Sequence, residues 1–173
     1  MTANEEKKNP EAAVEATAPA APPMPDDTPG FALAELAVWR LLEKQAEGCL
    51  ILDLRGRSDV CDFFVLASGH SDVHVRALAK STHNALVDAG QKPKGLEGMV
   101  EGRWALLDFF DVVVHIFDAR VREYFQLERL WGDAPRLDIE PSWFADPAVA
   151  ERHPDVKFHI PGAADQVSPD RET

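Results

Sequence analysis

The chain predicts an α+β domain, a small mixed β-sheet of four to five strands packed with helices, and three observations carry that class. Across residues 31–137 the hydrophobic periodicity alternates between helical and strand spacing, in the order helix, strand, strand, helix, strand, strand, helix. Two runs, CLILDL at 49–54 and CDFFVLA from 61, are short and almost continuously apolar, as central strands are. The segment RWALLDFFDVVVHIF at 103–117 reads as a hairpin with one wholly apolar face. Roughly a hundred residues suffice for one hydrophobic core.

Each element follows from local chemistry. Thr28 can cap a first helix and Pro29 suits its first position; Phe31, Leu33, Leu36, Trp39, Leu41 and Leu42 form its apolar stripe, and Gly48 is expected to end it. After the two strands, Ser68–Gly69–His70–Ser71 turns the chain into a helix in which Val75, Leu78, Thr82, Ala85 and Ala89 recur at three-and-four spacing up to Gly90. Lys92 to Gly95 is expected as a short edge strand, since Pro93 is tolerated only at an edge. A single helix from Ala119 to Trp131 should close the domain, stopped by Gly132 and Pro135.

With Phe109 and Phe110 as the hairpin turn, Leu107 pairs with Val112, Leu106 with Val113, Ala105 with Val114 and Trp104 with His115. Ala105, Leu107, Val112, Val114 and Ile116 then share a core face. Trp104, Leu106, Val113 and His115 share the other, with Asp108 and Asp111 at its turn end. Two readings of this second face stay open: a helix covers it and the tryptophan is core, or it is a partner-binding patch with an aromatic anchor and an acidic rim.

The chain of 173 residues carries a net charge of −12, unevenly spread. Residues 1–30 hold two basic and six acidic side chains and 138–173 hold three and eight, so 31–137 is left at −3. The first tail, rich in Ala, Pro and Glu, is expected to be disordered. The second is Pro-rich and acidic, yet contains Trp143, Phe144, Val149, Phe158 and Ile160, so it is expected to be partly disordered and partly docked. No Lys/Arg cluster could neutralise several phosphates, which disfavours nucleic-acid binding and favours a basic protein partner. Cys49 and Cys61 lack a CxxC or a neighbouring His and read as buried free thiols of a reducing, cytoplasmic compartment. No apolar run approaches the roughly 20 residues of a membrane span, and the acidic amino terminus resembles no signal peptide.

Little suggests catalysis. The SGHSD turn before a helix could bind phosphate, but a lone Gly is a weak signal, and Ser71 as a cap with Gly69 in a special dihedral is the favoured account. His70 and His74 could share a helix face, yet His83 is out of phase as a third ligand, so no metal is expected. Asp108 and Asp111 flank a turn and do not alternate on one strand as Asp-x-Asp would. No enzyme and no cofactor is therefore expected. The rival is a nucleotidyltransferase-like enzyme binding nucleotide through the SGHSD turn and Asp53.

Four stretches in this order and spacing, LILDLRGRSDVCDFFVLASGHSDVHV, GLEG, RWALLDFFDVVVHIF and REYFQLERLW, resemble the ribosomal silencing factor family (RsfS, related to the plastid Iojap protein) from about Ala46 to Trp131. The resemblance implies a nucleotidyltransferase-like fold without catalytic carboxylates. It implies binding to the large ribosomal subunit through ribosomal protein fourteen, which blocks subunit joining and represses translation when nutrients are scarce. Its binding surface falls on Trp104, Leu106, Asp108, Asp111 and Tyr124, largely the face sorted out by alternation, with His115 in the matching Val-Val-Val-His pattern as a contact or as a support beneath Trp104. A homodimer through the same face is a further reading. One departure stands out: the family usually has Gly where this chain has Phe110, so the turn should be of another type.

Overall fold

The computed structural model describes residues 28–156. The first 27 residues and those from 157 on, including Phe158 and Ile160, lie outside the described residues, and with them most of the expected amino-terminal tail. In chain order the elements are α1 (Pro29–Glu43), β1 (Glu47–Asp53), β2 (Phe63–Gly69), α2 (Asp72–Asp88), β3 (Gly95–Glu97), β4 (Trp104–Asp108), β5 (Val112–Asp118), α3 (Ala119–Phe125), α4 (Leu127–Leu130) and β6 (Arg136–Asp138). A 3₁₀ turn, Pro141–Ala145, and α5 (Pro147–Arg152) follow. The class is the expected one, but the sheet has six strands in the order β3-β4-β5-β2-β1-β6. Only β2 and β5 run parallel; the other neighbours are antiparallel.

The apolar runs occupy the centre, and every residue of β5 from Val112 to Phe117 is buried because both faces are covered. On one side α1 and α2 pack over Ile51, Val65, Ala67, Ala105, Leu107, Val114 and Ile116, the core face expected from alternation. On the other, α3, α4 and the following turn close a smaller cluster around Leu50, Leu52, Leu66, Val113 and Phe117. Cys49 and Cys61 are buried free thiols, each pushed up to about 12 chiefly by that burial.

Four expectations need correction. Thr28 caps α1 through Phe31 N–H at 3.4 Å, but the helix ends at Glu43, where Gln45 takes the left-handed conformation (φ 64°). Gly48, the expected stop, sits instead in an irregularity of β1 at φ 57°. The edge strand is Gly95–Glu97, because Lys94 N–H already turns onto Asp108 O at 2.7 Å. The closing helix breaks into α3 and α4 at Gln126 (φ 46°). Finally, the expected domain end at 137 falls inside β6, whose Leu137 pairs with Ile51.

The chain therefore continues as part of the domain to Val156. Glu35, fully buried in α1, accepts Trp143 Nε1–H at 2.8 Å and a fork from Arg152 at 2.7 and 3.1 Å, and lies 2.8 Å from His153 Nε2. Burial alone would raise this carboxyl, but the bonds from His153, Arg152 and Trp143 and the guanidinium charge outweigh it and hold Glu35 below the ordinary glutamate value. Phe144 packs on Trp39 with ring centroids 5.1 Å apart. A buried carboxylate thus clasps the carboxy-terminal segment to α1.

The hairpin register is displaced. Leu107 pairs with Val114, Leu106 with His115 and Trp104 with Phe117. The shift from the expected pairing is two residues, and an even shift leaves every side chain on its own face. Its cause is a longer turn: Phe109 N–H donates to Val112 O at 2.9 Å, Asp111 N–H to Phe109 O at 3.0 Å, and Asp108 Oδ1 accepts Phe110 N–H at 2.9 Å. Phe110 is forced to φ 67°. Such a conformation costs an L-residue on the order of 1 kcal/mol, and Phe110 is more than half exposed, so little packing offsets it. Phe110→Gly should raise the unfolding free energy by about 1 kcal/mol. A higher urea midpoint at unchanged slope would be the sign.

Candidate functional site

The second face of the sheet is covered unevenly. Helix α3 packs mainly on β5 and β2 and meets β4 at Trp104 through Phe125, so the strip formed by Trp104, Leu106 and Asp108 stays half open. Trp104 is its centre. Its ring lies 4.8 Å from Phe117 and 5.1 Å from Phe125, and its indole N–H donates to His115 Nδ1 at 3.1 Å. A groove of about 550 Å³ opens beside it, lined by Arg103, Trp104, Arg120, Val121, Tyr124 and Phe125. Tyr124, 82% exposed, meets Phe125 edge to face at 5.1 Å.

What holds this aromatic end in place is α3. Asp118 Oδ1 caps it by accepting Arg120 N–H at 3.0 Å. Arg122 then nails it to the sheet, donating to Gly48 O at 2.8 Å, Ser68 Oγ at 3.0 Å and Glu128 Oε1 at 2.7 Å. Residue 48 takes φ 57°, a conformation that favours glycine, and a Cβ there would also crowd that guanidinium at 2.9 Å. With Arg122 turned inward, Tyr124 and Phe125 point outward beside Trp104.

The residues expected at the site are thus split by role. Trp104, Leu106 and Tyr124 line or border the open strip. Asp108 spends one oxygen on the turn, while Asp111 is exposed and uses its carbonyl to receive the N–H groups of Asp62 and Phe63. His115 is only 4% exposed, with Phe64 edge-on at 4.5 Å, so it lies beneath the surface. Burial lowers its pKa to about 4. Its folded pKa lies below the ordinary value near 6.5, so the unfolded chain binds more protons between the two. Stability should be untouched by this group above about pH 6.5 and decline towards pH 4, as the unfolded chain takes up the proton that the buried ring refuses; urea unfolding of the protein and of His115→Asn at several pH values would reveal it.

Sequence reasoning missed Phe125, Arg103 and Arg120, which lie outside the alternation pattern. It also missed Glu97, exposed and opposite Leu106 in register, hence on the open face. The motif GLEG was the available signal: a Cβ at Gly98 (φ 68°) would lie 1.9 Å from Trp104 O, so only glycine lets this loop pass the tryptophan strand.

The rival constellation is not brought together. Asp53 pairs with Phe63 at one end of β1–β2, while the SGHSD turn begins at the other, roughly 20 Å away at strand rise. Asp53 is fully buried and forked by Arg55, at 2.6 Å in its shortest bond. In the turn, Ser71 Oγ caps α2 by accepting His74 N–H at 3.1 Å. Gly69 does not take a left-handed dihedral; it is small because a Cβ would lie 2.9 Å from Val75 Cγ2. His70 and His74 stack at 4.8 Å, and both nitrogens of His74 are engaged, Nδ1 by His70 N–H and Nε2 with Lys44 O at 2.8 Å. Among the described residues no group of three His, Cys, Asp or Glu could hold a metal, and no helix is long and apolar enough to cross a membrane.

Comparison with known proteins gives a consistent answer. Residues 26–164 match the family described as "Ribosomal silencing factor during starvation". A protein of Halalkalibacterium halodurans named ribosomal silencing factor RsfS is 41% identical over 108 residues, which is 62% of this chain and 92% of that protein. One of the same name from Bacillus subtilis is 44% identical over 98 residues, 57% of this chain and 83% of the relative. The crystal structure of a Chromobacterium violaceum protein is similar with a TM-score of 0.57 at 35% identity, over 58% of this chain and 83% of that one.

Proposed function

The chain belongs to the family of ribosomal silencing factors, and on that premise we propose that it binds the large ribosomal subunit and physically prevents the small subunit from joining. The contact is ribosomal protein fourteen, and the consequence is lowered translation when nutrients are limiting. The observation that carries this reading is the open strip on an otherwise closed face: Trp104 and Leu106 between the exposed Tyr124 at one end and Asp108 at the other. Interface centres are rich in aromatic residues and their rims are polar, and this strip has both.

Chemistry suits the partner. Asp108 and Glu97 give the β3–β4 end an acidic rim, with Asp111 further along the same turn, matched by lysine or arginine of a basic ribosomal protein. Electrostatic pairing there sets orientation and encounter rate more than affinity.

The test is co-sedimentation with separated large and small subunits, followed by a subunit-joining assay at near-physiological salt. Binding to the large subunit alone, with loss of joined ribosomes, is the expected result. Binding to neither subunit would remove the proposal. Magnesium-dependent nucleotide binding by the isolated protein would put the enzymatic rival in its place.

A further inference from the structure

We infer that His115 is a positioning residue, whose Nδ1 fixes the Trp104 indole in the orientation that presents its ring to the partner. This rests on the reading of the open face given above. The imidazole lies in β5 beneath the tryptophan, 4% exposed, with its ring centroid 5.9 Å from the indole and 4.5 Å from Phe64. Since Nδ1 accepts the Trp104 N–H at 3.1 Å, the ring's own proton must sit on Nε2. That nitrogen is buried without a hydrogen-bond partner.

A buried donor without a partner opposes folding, and a leucine would fill the same place without one. The fold therefore gains nothing from the polar ring. Its side-chain hydrogen bond is with the indole N–H of a tryptophan that is itself only partly buried. Departures from good local packing chemistry of this kind concentrate at functional sites. The gain lies in the free protein: Phe117 and Phe125 flank the indole but give it no directional bond, whereas Nδ1 selects one rotamer before the partner arrives. A side chain already ordered loses less freedom on docking. Burial keeps the imidazole neutral, so the acceptor persists at neutral pH.

The test uses the full chain and purified large subunits, with His115→Leu, His115→Asn and Trp104→Ala. Affinity, thermal unfolding and the Trp104 indole ¹H–¹⁵N resonance, assigned by its loss in Trp104→Phe, are read together. His115→Leu should unfold at the same temperature or higher, release the indole resonance to the position and fast exchange of a water-exposed N–H, and bind about tenfold more weakly. His115→Asn, whose Oδ1 takes the place of Nδ1, should restore most of the affinity. Unchanged binding and an unmoved resonance in His115→Leu would overturn the inference. So would a joint fall in stability and affinity that asparagine does not repair, the signature of a space-filling residue. If Trp104→Ala binds as well as wild type, the reading of the face fails, and the lock is still decided by whether the resonance moves in His115→Leu.

Discussion

Trp104→Ala should weaken binding to the large ribosomal subunit at least about 30-fold, the equivalent of 2 kcal/mol or more for a desolvated aromatic anchor. The indole is supported below by His115 and flanked by Phe117 and Phe125, so its outer face is offered in a fixed place. Docking would remove that face from water with little further ordering. Asp108→Asn and Asp111→Asn should each cost far less, about 0 to 1 kcal/mol, because exposed ion pairs are screened and hydrated. Asparagine at 108 also keeps an oxygen for the Phe110 N–H, so the turn should survive. Equilibrium binding of the three variants to purified large subunits settles the order. A Trp104→Ala protein that binds within twofold of wild type would refute the anchor.

Glu35→Ala should be the most damaging single change to the fold, at about 3–5 kcal/mol, because it removes the one fully buried carboxylate that receives Trp143, Arg152 and His153. Small domains have only about 5–15 kcal/mol in total. Urea unfolding gives the global loss, and hydrogen exchange across 139–156 shows whether the segment detaches first. The pH dependence has a definite sign. A carboxyl held below its ordinary value stabilises fully above that value, about 4.3, and loses the contribution as pH falls through its lower, folded pKa. Glu35→Gln should lack that acid-side decline. A loss below 1 kcal/mol with unchanged exchange would mean that the clasp is ornamental.

Glu35 also shows where sequence reasoning stops. In α1 it looks like any solvent-side glutamate, and its partners lie 108 to 118 residues further along the chain. The two faces of the hairpin, by contrast, were legible, because strand periodicity is two and survives an even slip in register. The turn itself was not, since its length depends on Asp108 reaching the Phe110 N–H. Gln126 in a left-handed conformation gives no compositional warning of a helix break, and Arg-Leu-Asp at β6 has one apolar residue with which to announce a strand. Of the site, the strand residues could be read from alternation. Phe125 and the two arginines beside the groove depend on where Arg122 pins α3.

Both margins of the sheet are strands of only three residues, β3 and β6. Backbone ladders are indifferent to sequence, so a long free margin would accept almost any extended polypeptide. Here that route is nearly shut, and recognition has to pass through side chains standing on a face. On the proposed function, a protein that must meet one surface among the many on a ribosome is thereby made selective by the shape of its sheet as well as by its residues.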